Sequence, residues 1–195
     1  MTTHLLRRFT LFLFVFLAAG GCEKVDSTAV VASDTPVADR DWPLHGRVNG
    51  EDRFSPLAQI NTENVADVGL AWEVSMDSQR GLEATPIVVD GVMYITSTWS
   101  RVFAVDAKTG ESLWEYDPEV PRDWAARGCC DVVNRGVAVA DGRLFVGTFD
   151  GRLVALNKDD GSVLWSVNTI DRDKPYTITG APRVAGNKVV IGNGG

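Results

Sequence analysis

Ala104-Val105-Asp106-Ala107-Lys108-Thr109-Gly110-Glu111-Ser112-Leu113-Trp114 returns 51 residues later as Ala155-Leu156-Asn157-Lys158-Asp159-Asp160-Gly161-Ser162-Val163-Leu164-Trp165. A second element recurs upstream of each copy at the same offset: Val89-Asp90-Gly91-Val92-Met93-Tyr94-Ile95 lies over the stretch 139–146, with Gly91 over Gly142. A third copy begins at Ala181-Pro182-Arg183-Val184-Ala185-Gly186, and Gly69-Leu70-Ala71-Trp72-Glu73-Val74 is an earlier partial one. Fixed periods of this size mark solenoids, propellers or arrays. The segments 86–89, 92–97, 101–105 and 112–116 are short, rich in β-forming residues and separated by turn residues. Asp90-Gly91 predicts a primed hairpin turn, because glycine takes positive φ without strain, and Thr109-Gly110 and Asp160-Gly161 predict the same turn in the next hairpin. Residues 62–68 predict a helical turn or two, and no segment sustains a longer 3.6-residue period. Four strands in about 50 residues make one propeller blade. The fold class is therefore all-β, a propeller of four-stranded blades, with the repeated tryptophans and alanines as apolar contacts between neighbouring blades.

Two whole blades and the edges of two more account for the 195 residues. Propellers close with about four to eight blades, and open blades leave strand edges unpaired. The expectation is a piece of a longer propeller, or a chain that must assemble with other copies.

Composition agrees with a packed, exported domain. Apolar residues make up 45% and charged residues 23%, with 19 glycines and six tryptophans. The net charge of −7 gives no basic footprint for nucleic acid. Arg7 and Arg8 precede a nearly unbroken apolar run from Phe9 to Ala19, followed by Gly20 and Gly21, which reads as a signal peptide over 1–21. The run is shorter than the ~20 residues of a membrane span. Cys22 follows the small residues as in a bacterial lipoprotein, where it would be lipidated; ordinary cleavage near Ala19 is the other reading. Either way the chain is expected in the periplasm, and a lipid on Cys22 would anchor it to a membrane. Residues 22–40 read as a flexible linker, and 41–195 as the propeller part.

Cys129-Cys130 is the most unusual pair. Neighbouring Cα atoms lie ~3.8 Å apart, short of the ~4.4–6.8 Å of ordinary bridges, so a bond between them would close a strained ring. An exported chain meets oxidant. Two free thiols or half a metal site are the alternatives. Metal is the poorer one, since only three cysteines and two histidines exist and His4 lies in the leader.

The run Cys129-Cys130-Asp131-Val132-Val133-Asn134-Arg135-Gly136 resembles the pyrroloquinoline-quinone (PQQ)-dependent alcohol dehydrogenases, quinoprotein and quinohaemoprotein enzymes built as eight-bladed propellers. Trp42-Pro43, His45-Gly46-Arg47 and Arg53-Phe54-Ser55-Pro56-Leu57 resemble the family's opening segment. Gly81-Leu82-Glu83-Ala84-Thr85-Pro86, Tyr176-Thr177-Ile178-Thr179-Gly180-Ala181-Pro182 and Ile191-Gly192-Asn193-Gly194-Gly195 resemble its cofactor loops. The resemblance implies a Cys129–Cys130 disulfide ring lying flat on the quinone and Arg135 on a cofactor carboxylate. It implies Glu83 hydrogen-bonded nearby and pairing with Arg135, Thr179 donating a hydroxyl, and Gly194 and Gly195 bringing backbone close. Singly, Glu83 and Arg135 also read as surface charges and Thr179 as a turn hydroxyl. It implies oxidation of a small alcohol to an aldehyde with PQQ, Ca²⁺ or a lanthanide, and electrons passed to a cytochrome c or quinone, with haem c on a further domain in some members. The metal ligands and catalytic base of the family fall in segments beyond this chain, so no catalytic or metal residue is assigned here. The rival reading is a non-enzymatic propeller lipoprotein of the outer-membrane assembly type, which shares the tryptophan repeat but gives no reason for adjacent cysteines followed by Asn-Arg-Gly; an inactive fragment is the third.

Overall fold

The computed structural model describes residues 36–194. The segment read as a signal peptide, Cys22, most of the stretch read as a linker and Gly195 lie outside the described residues.

Two four-stranded antiparallel sheets and a hairpin follow in chain order. The first sheet holds β1 (Ile87–Val89), β2 (Val92–Thr96), β3 (Val102–Asp106) and β4 (Ser112–Tyr116). The second holds β5 (Ala138–Ala140), β6 (Arg143–Gly147), β7 (Arg152–Asn157) and β8 (Val163–Asn168). The hairpin pairs β9 (Arg183–Ala185) with β10 (Lys188–Val190). Both sheets run in strand order without crossover, and both carry a register shift at the same repeat position, after Ala104 and after Ala155. The repeat is thus a blade repeat. The helical turn expected near 62–68 is a short 3₁₀ turn over Val65–Asp67.

Asp90 and Gly91 both take positive φ, 54° and 81°, as a primed two-residue turn requires. The turns at Gly110 and Gly161 differ from the expectation. They are five-residue loops in which the glycine N–H donates to the carbonyl four residues back, Asp106 at 2.8 Å and Asn157 at 2.9 Å. Asp106 closes the first by accepting from the N–H groups of Lys108 and Thr109 and from the Thr109 hydroxyl. Those three donors also hold its carboxyl below the usual carboxylate range.

The wider loop gives the glycine a second task. A Cβ on Gly110 would lie 2.6 Å from the Trp72 ring, and one on Gly161 2.6 Å from the Trp114 ring. Each tryptophan of one repeat therefore sits on the glycine turn of the next. Trp114 is fixed there by donating its indole N–H to the Lys158 carbonyl at 3.2 Å, and Tyr94 donates its hydroxyl to the same oxygen at 3.0 Å. Residues 69–74, read as a partial copy, form no strand, yet Trp72 occupies its repeat position. Between the blades lies one core of Ile87, Tyr94, Val102 and Ala104 against Val137, Leu144, Val146, Val154 and Leu156. Each large side chain so buried contributes about 1.5–3 kcal/mol.

β5 packs beside both β1 and β9, so the first strands of successive blades stand next to one another. Trp42 pairs with Val88 of β1, and Glu51 reaches Arg183 of β9 at 3.6 Å. The opening segment thus crosses these first strands.

Gly161→Val should destabilise the chain by at least about 2 kcal/mol, since φ is 72° and the indole leaves no room. Gly142→Asn, at φ 73° but facing open space, should stay within about 1 kcal/mol. Thermal melts of the two variants check this.

Candidate functional site

The segments that lead into β1, β5 and β9 meet edge to edge. Thr85 donates its N–H to the Arg135 carbonyl at 3.4 Å, and Arg135 donates its own to the Thr179 carbonyl at 2.9 Å. Thr177 and Gly194 exchange two further backbone bonds, at 2.8 and 2.9 Å. Four stretches far apart in sequence thereby line up their side chains at one end of the first strands. Gly136 makes the close approach possible, with φ 124° and the Thr85 carbonyl 3.2 Å from where a Cβ would stand.

The side chains converge on Arg135. Its guanidinium pairs with the Glu83 carboxylate at 2.8 Å and donates to Thr179 Oγ1 at 2.7 Å. The pairing of Glu83 with Arg135 is as expected. Thr179 differs in one respect: its oxygen accepts from Arg135, which leaves its own hydrogen to donate elsewhere. Arg135, Thr179 and Gly194 border an open cavity of ≈ 480 Å³ together with Arg127, Cys129 and Cys130. That volume is in the range of small-molecule sites.

Cys129 and Cys130 are both exposed and stand as free thiols, so the ring expected between them is not closed in this structure. The Cys130 thiol is raised above its ordinary 9.0, first by its hydrogen bond with Cys129, then by that neighbour's charge and by desolvation; Arg135 pulls it down and Glu83 pushes it up. The 3₁₀ turn Arg122–Arg127 brings the chain to this pair, anchored by the buried Trp124 ring with Arg127 at 4.1 Å and Arg172 at 4.9 Å above it.

Asn134 is a residue whose role sequence reading did not assign. Its side chain is buried, donates to the Gly147 carbonyl at 2.8 Å and accepts from the Gly136 N–H at 3.0 Å. It ties the Arg135 loop to β6 from beneath. A polar residue beside an arginine and a glycine gives no sign of burial, so only the packing shows it.

With this geometry in hand, the comparisons with known proteins are specific. The "glucose/ethanol/alcohol dehydrogenase, beta-propeller domain" family matches residues 42–194. The 1-butanol dehydrogenase (cytochrome c) of Thauera butanivorans is 56% identical over 170 residues, covering 87% of this chain and 25% of that protein. Among solved structures, the quinohemoprotein alcohol dehydrogenase from Comamonas testosteroni superposes with a TM-score of 0.78 at 52% identity, over 82% of this chain and 24% of that one. A europium-containing methanol dehydrogenase follows at 0.77 and 40% identity, over 81% and 28%. The chain spans about a quarter of the length of the curated relatives it matches.

Asn134→Ala removes one partner from each of two buried backbone groups, and such orphans cost about 1–3 kcal/mol apiece. The expected result is a chain less stable by about 2–4 kcal/mol, measured by urea unfolding.

Proposed function

This chain belongs to the glucose/ethanol/alcohol dehydrogenase β-propeller family, and from that premise we propose that its cavity is one part of a PQQ site in a periplasmic alcohol dehydrogenase. The observation that carries the proposal is Arg135. In an acidic chain, its guanidinium is oriented by Glu83 and Thr179 at the border of a cavity of suitable size, with two adjacent cysteines alongside. The quinone is a flat anion with three carboxylates. A planar arginine fork pairs with such a group, and the residues present fit it.

When bound, the quinone supplies a two-electron acceptor for hydride from an alcohol. The chain's own residues bind and orient it. Arg135 keeps donors free beyond those given to Glu83 and Thr179, since a guanidinium carries five N–H groups. The Thr179 hydroxyl, whose oxygen accepts from Arg135, keeps its hydrogen to donate to the ligand. Gly194 presents backbone at the cavity without a side chain in the way. Oxidation of Cys129 and Cys130 closes the ring between them and gives the quinone a rigid, polarizable face. Ca²⁺ or a lanthanide would polarise the quinone, and neither its ligands nor a proton-accepting base is assigned to a residue of this chain. A small alcohol is the substrate, and electrons leave to a cytochrome c or a quinone. The export leader carries the chain to the periplasm, where a lipid on Cys22 would tether it to a membrane; cleavage near Ala19 would leave it untethered.

Titrating the chain with PQQ while following tryptophan fluorescence tests the cofactor reading. Saturable quenching is expected, weakened about tenfold or more in Arg135→Ala, as for loss of a charge-assisted hydrogen bond. Quenching that does not saturate, or an unchanged affinity in the variant, would sink the reading. Material isolated without reductant should weigh about two mass units less than after reduction, as one disulfide requires; two alkylatable thiols in oxidised material would exclude the ring.

A further inference from the structure

The turn that carries the two cysteines is held from three sides. Gly128 lies against the Phe149 ring, with no space for a Cβ, and Phe149 is itself fixed by donating its N–H to Ser100 Oγ at 2.9 Å. Trp99 donates its N–H to the Val132 carbonyl at 2.9 Å. Asp131 sits at φ 72°, accepts the Val132 N–H on Oδ1 at 2.8 Å, and gives the same oxygen to the Arg80 guanidinium, 51 residues earlier in the chain. Arg80 lies 6.0 Å from the centre of the Trp99 ring, and Arg122 lies over that ring at 4.1 Å.

Strain accompanies these holds. Of the ten non-glycine residues with positive φ among the described residues, Trp99 and Ser100, at 63° and 60°, and Asp131, at 72°, belong to these holds. Such residues persist only where the surroundings over-determine them, and they gather at functional sites. Here Asp131 directly follows Cys130, while Trp99 and Ser100 hold Val132 and Phe149 on either side of that turn. Arg80 and Asp131 are both partly exposed, at 47% and 39%, so their attraction alone adds little to stability. Its effect lies in direction, since it fixes the residue next to Cys130 in a conformation that residue would otherwise leave.

We propose that Arg80 is a positioning residue for the cysteine pair: through Asp131, and braced on Trp99, it presets the turn so that Cys129 and Cys130 close their ring at the mouth of the cavity. The inference rests on the reading of that cavity as a quinone site for its purpose, but not for its test. In ring closure the two thiols lose two protons and two electrons to oxidised glutathione. One sulfur–sulfur bond forms, the glutathione disulfide breaks, and two glutathione thiols result.

The test equilibrates the chain with glutathione at graded ratios of oxidised to reduced form, traps free thiols by alkylation and reads the closed fraction by mass. Arg80→Gln and Asp131→Asn should each need about two- to fivefold more oxidised glutathione for half closure, the span expected for one surface ion pair. The double variant should need no more than either single one, and Arg80→Lys should recover part of the loss. A general loosening of the fold would not give that non-additive pattern or that rescue. Additive shifts, no shift in Arg80→Gln, or a wild-type pair that stays reduced at every ratio would overturn the proposal. Should Arg80→Gln fail to fold, Arg80→Lys and Asp131→Asn carry the same comparison. A quinone titration of the same variants separates the two readings. Absent quinone binding with intact coupling removes the cofactor reading and keeps the clamp. Intact binding without coupling does the reverse.

Discussion

An indole resting on a left-handed glycine fixes how far one blade stands from the next. Trp114 lies on Gly161 as Trp72 lies on Gly110, and no residue with a Cβ can take the glycine's place without moving the ring. Because the indole N–H and the Tyr94 hydroxyl both end on the Lys158 carbonyl, the contact has direction as well as distance. That spacing decides where β1, β5 and β9 stand, and hence whether the backbone of Arg135 can reach Thr85 on one side and Thr179 on the other. The site is therefore a consequence of blade packing; none of its four loops has a regular structure of its own to stand on. Trp165, third in the series, is 40% exposed, with no further glycine turn among the described residues to rest on.

The blade was legible in the sequence because its signals are local. A positive-φ pair shows as Asp90-Gly91, and a strand buried on both faces shows as the apolar run Val102-Phe103-Ala104-Val105. The loops at Gly110 and Gly161 carry the same sequence sign as primed turns because both loop types contain a positive-φ glycine; the Asp106 carboxylate that caps the first loop is the distinguishing sign. The site was legible in another way. Nothing in the spacing of Glu83, Arg135 and Thr179 links them, and their meeting was readable only through the family resemblance of the loops that hold them. Asn134, Arg80 and Trp99 carried no such mark. An exposed arginine is one of many on any surface, and a left-handed tryptophan cannot be told from an extended one by its letter.

Charge at the cavity raises a further question, which the fold answers. A tricarboxylate ligand and a chain of net charge −7 should repel. Locally the balance is different. Asp131 is engaged by Arg80 and Glu83 by Arg135, so the acids nearest the cysteines are each neutralised by an arginine. Glu83 has a second effect, since it fixes the direction of the guanidinium that would meet the ligand, which a lone flexible arginine would have to order at an entropic cost.

The cysteine pair fits the same electrostatic logic. Cys130 is raised above the ordinary thiol value, its hydrogen bond with Cys129 being the largest cause. A raised thiol stays protonated, and so neutral, at and below neutral pH; a thiolate there would set a negative charge against an anionic ligand. The same protonation makes the Cys130 sulfur a slow nucleophile while the pair is open. Closure removes the thiol protons, so the two sulfurs carry no charge at any pH. A turn preset by Arg80 and strained at Asp131 thus meets two demands at once, sulfurs without charge of their own and a turn that holds its shape.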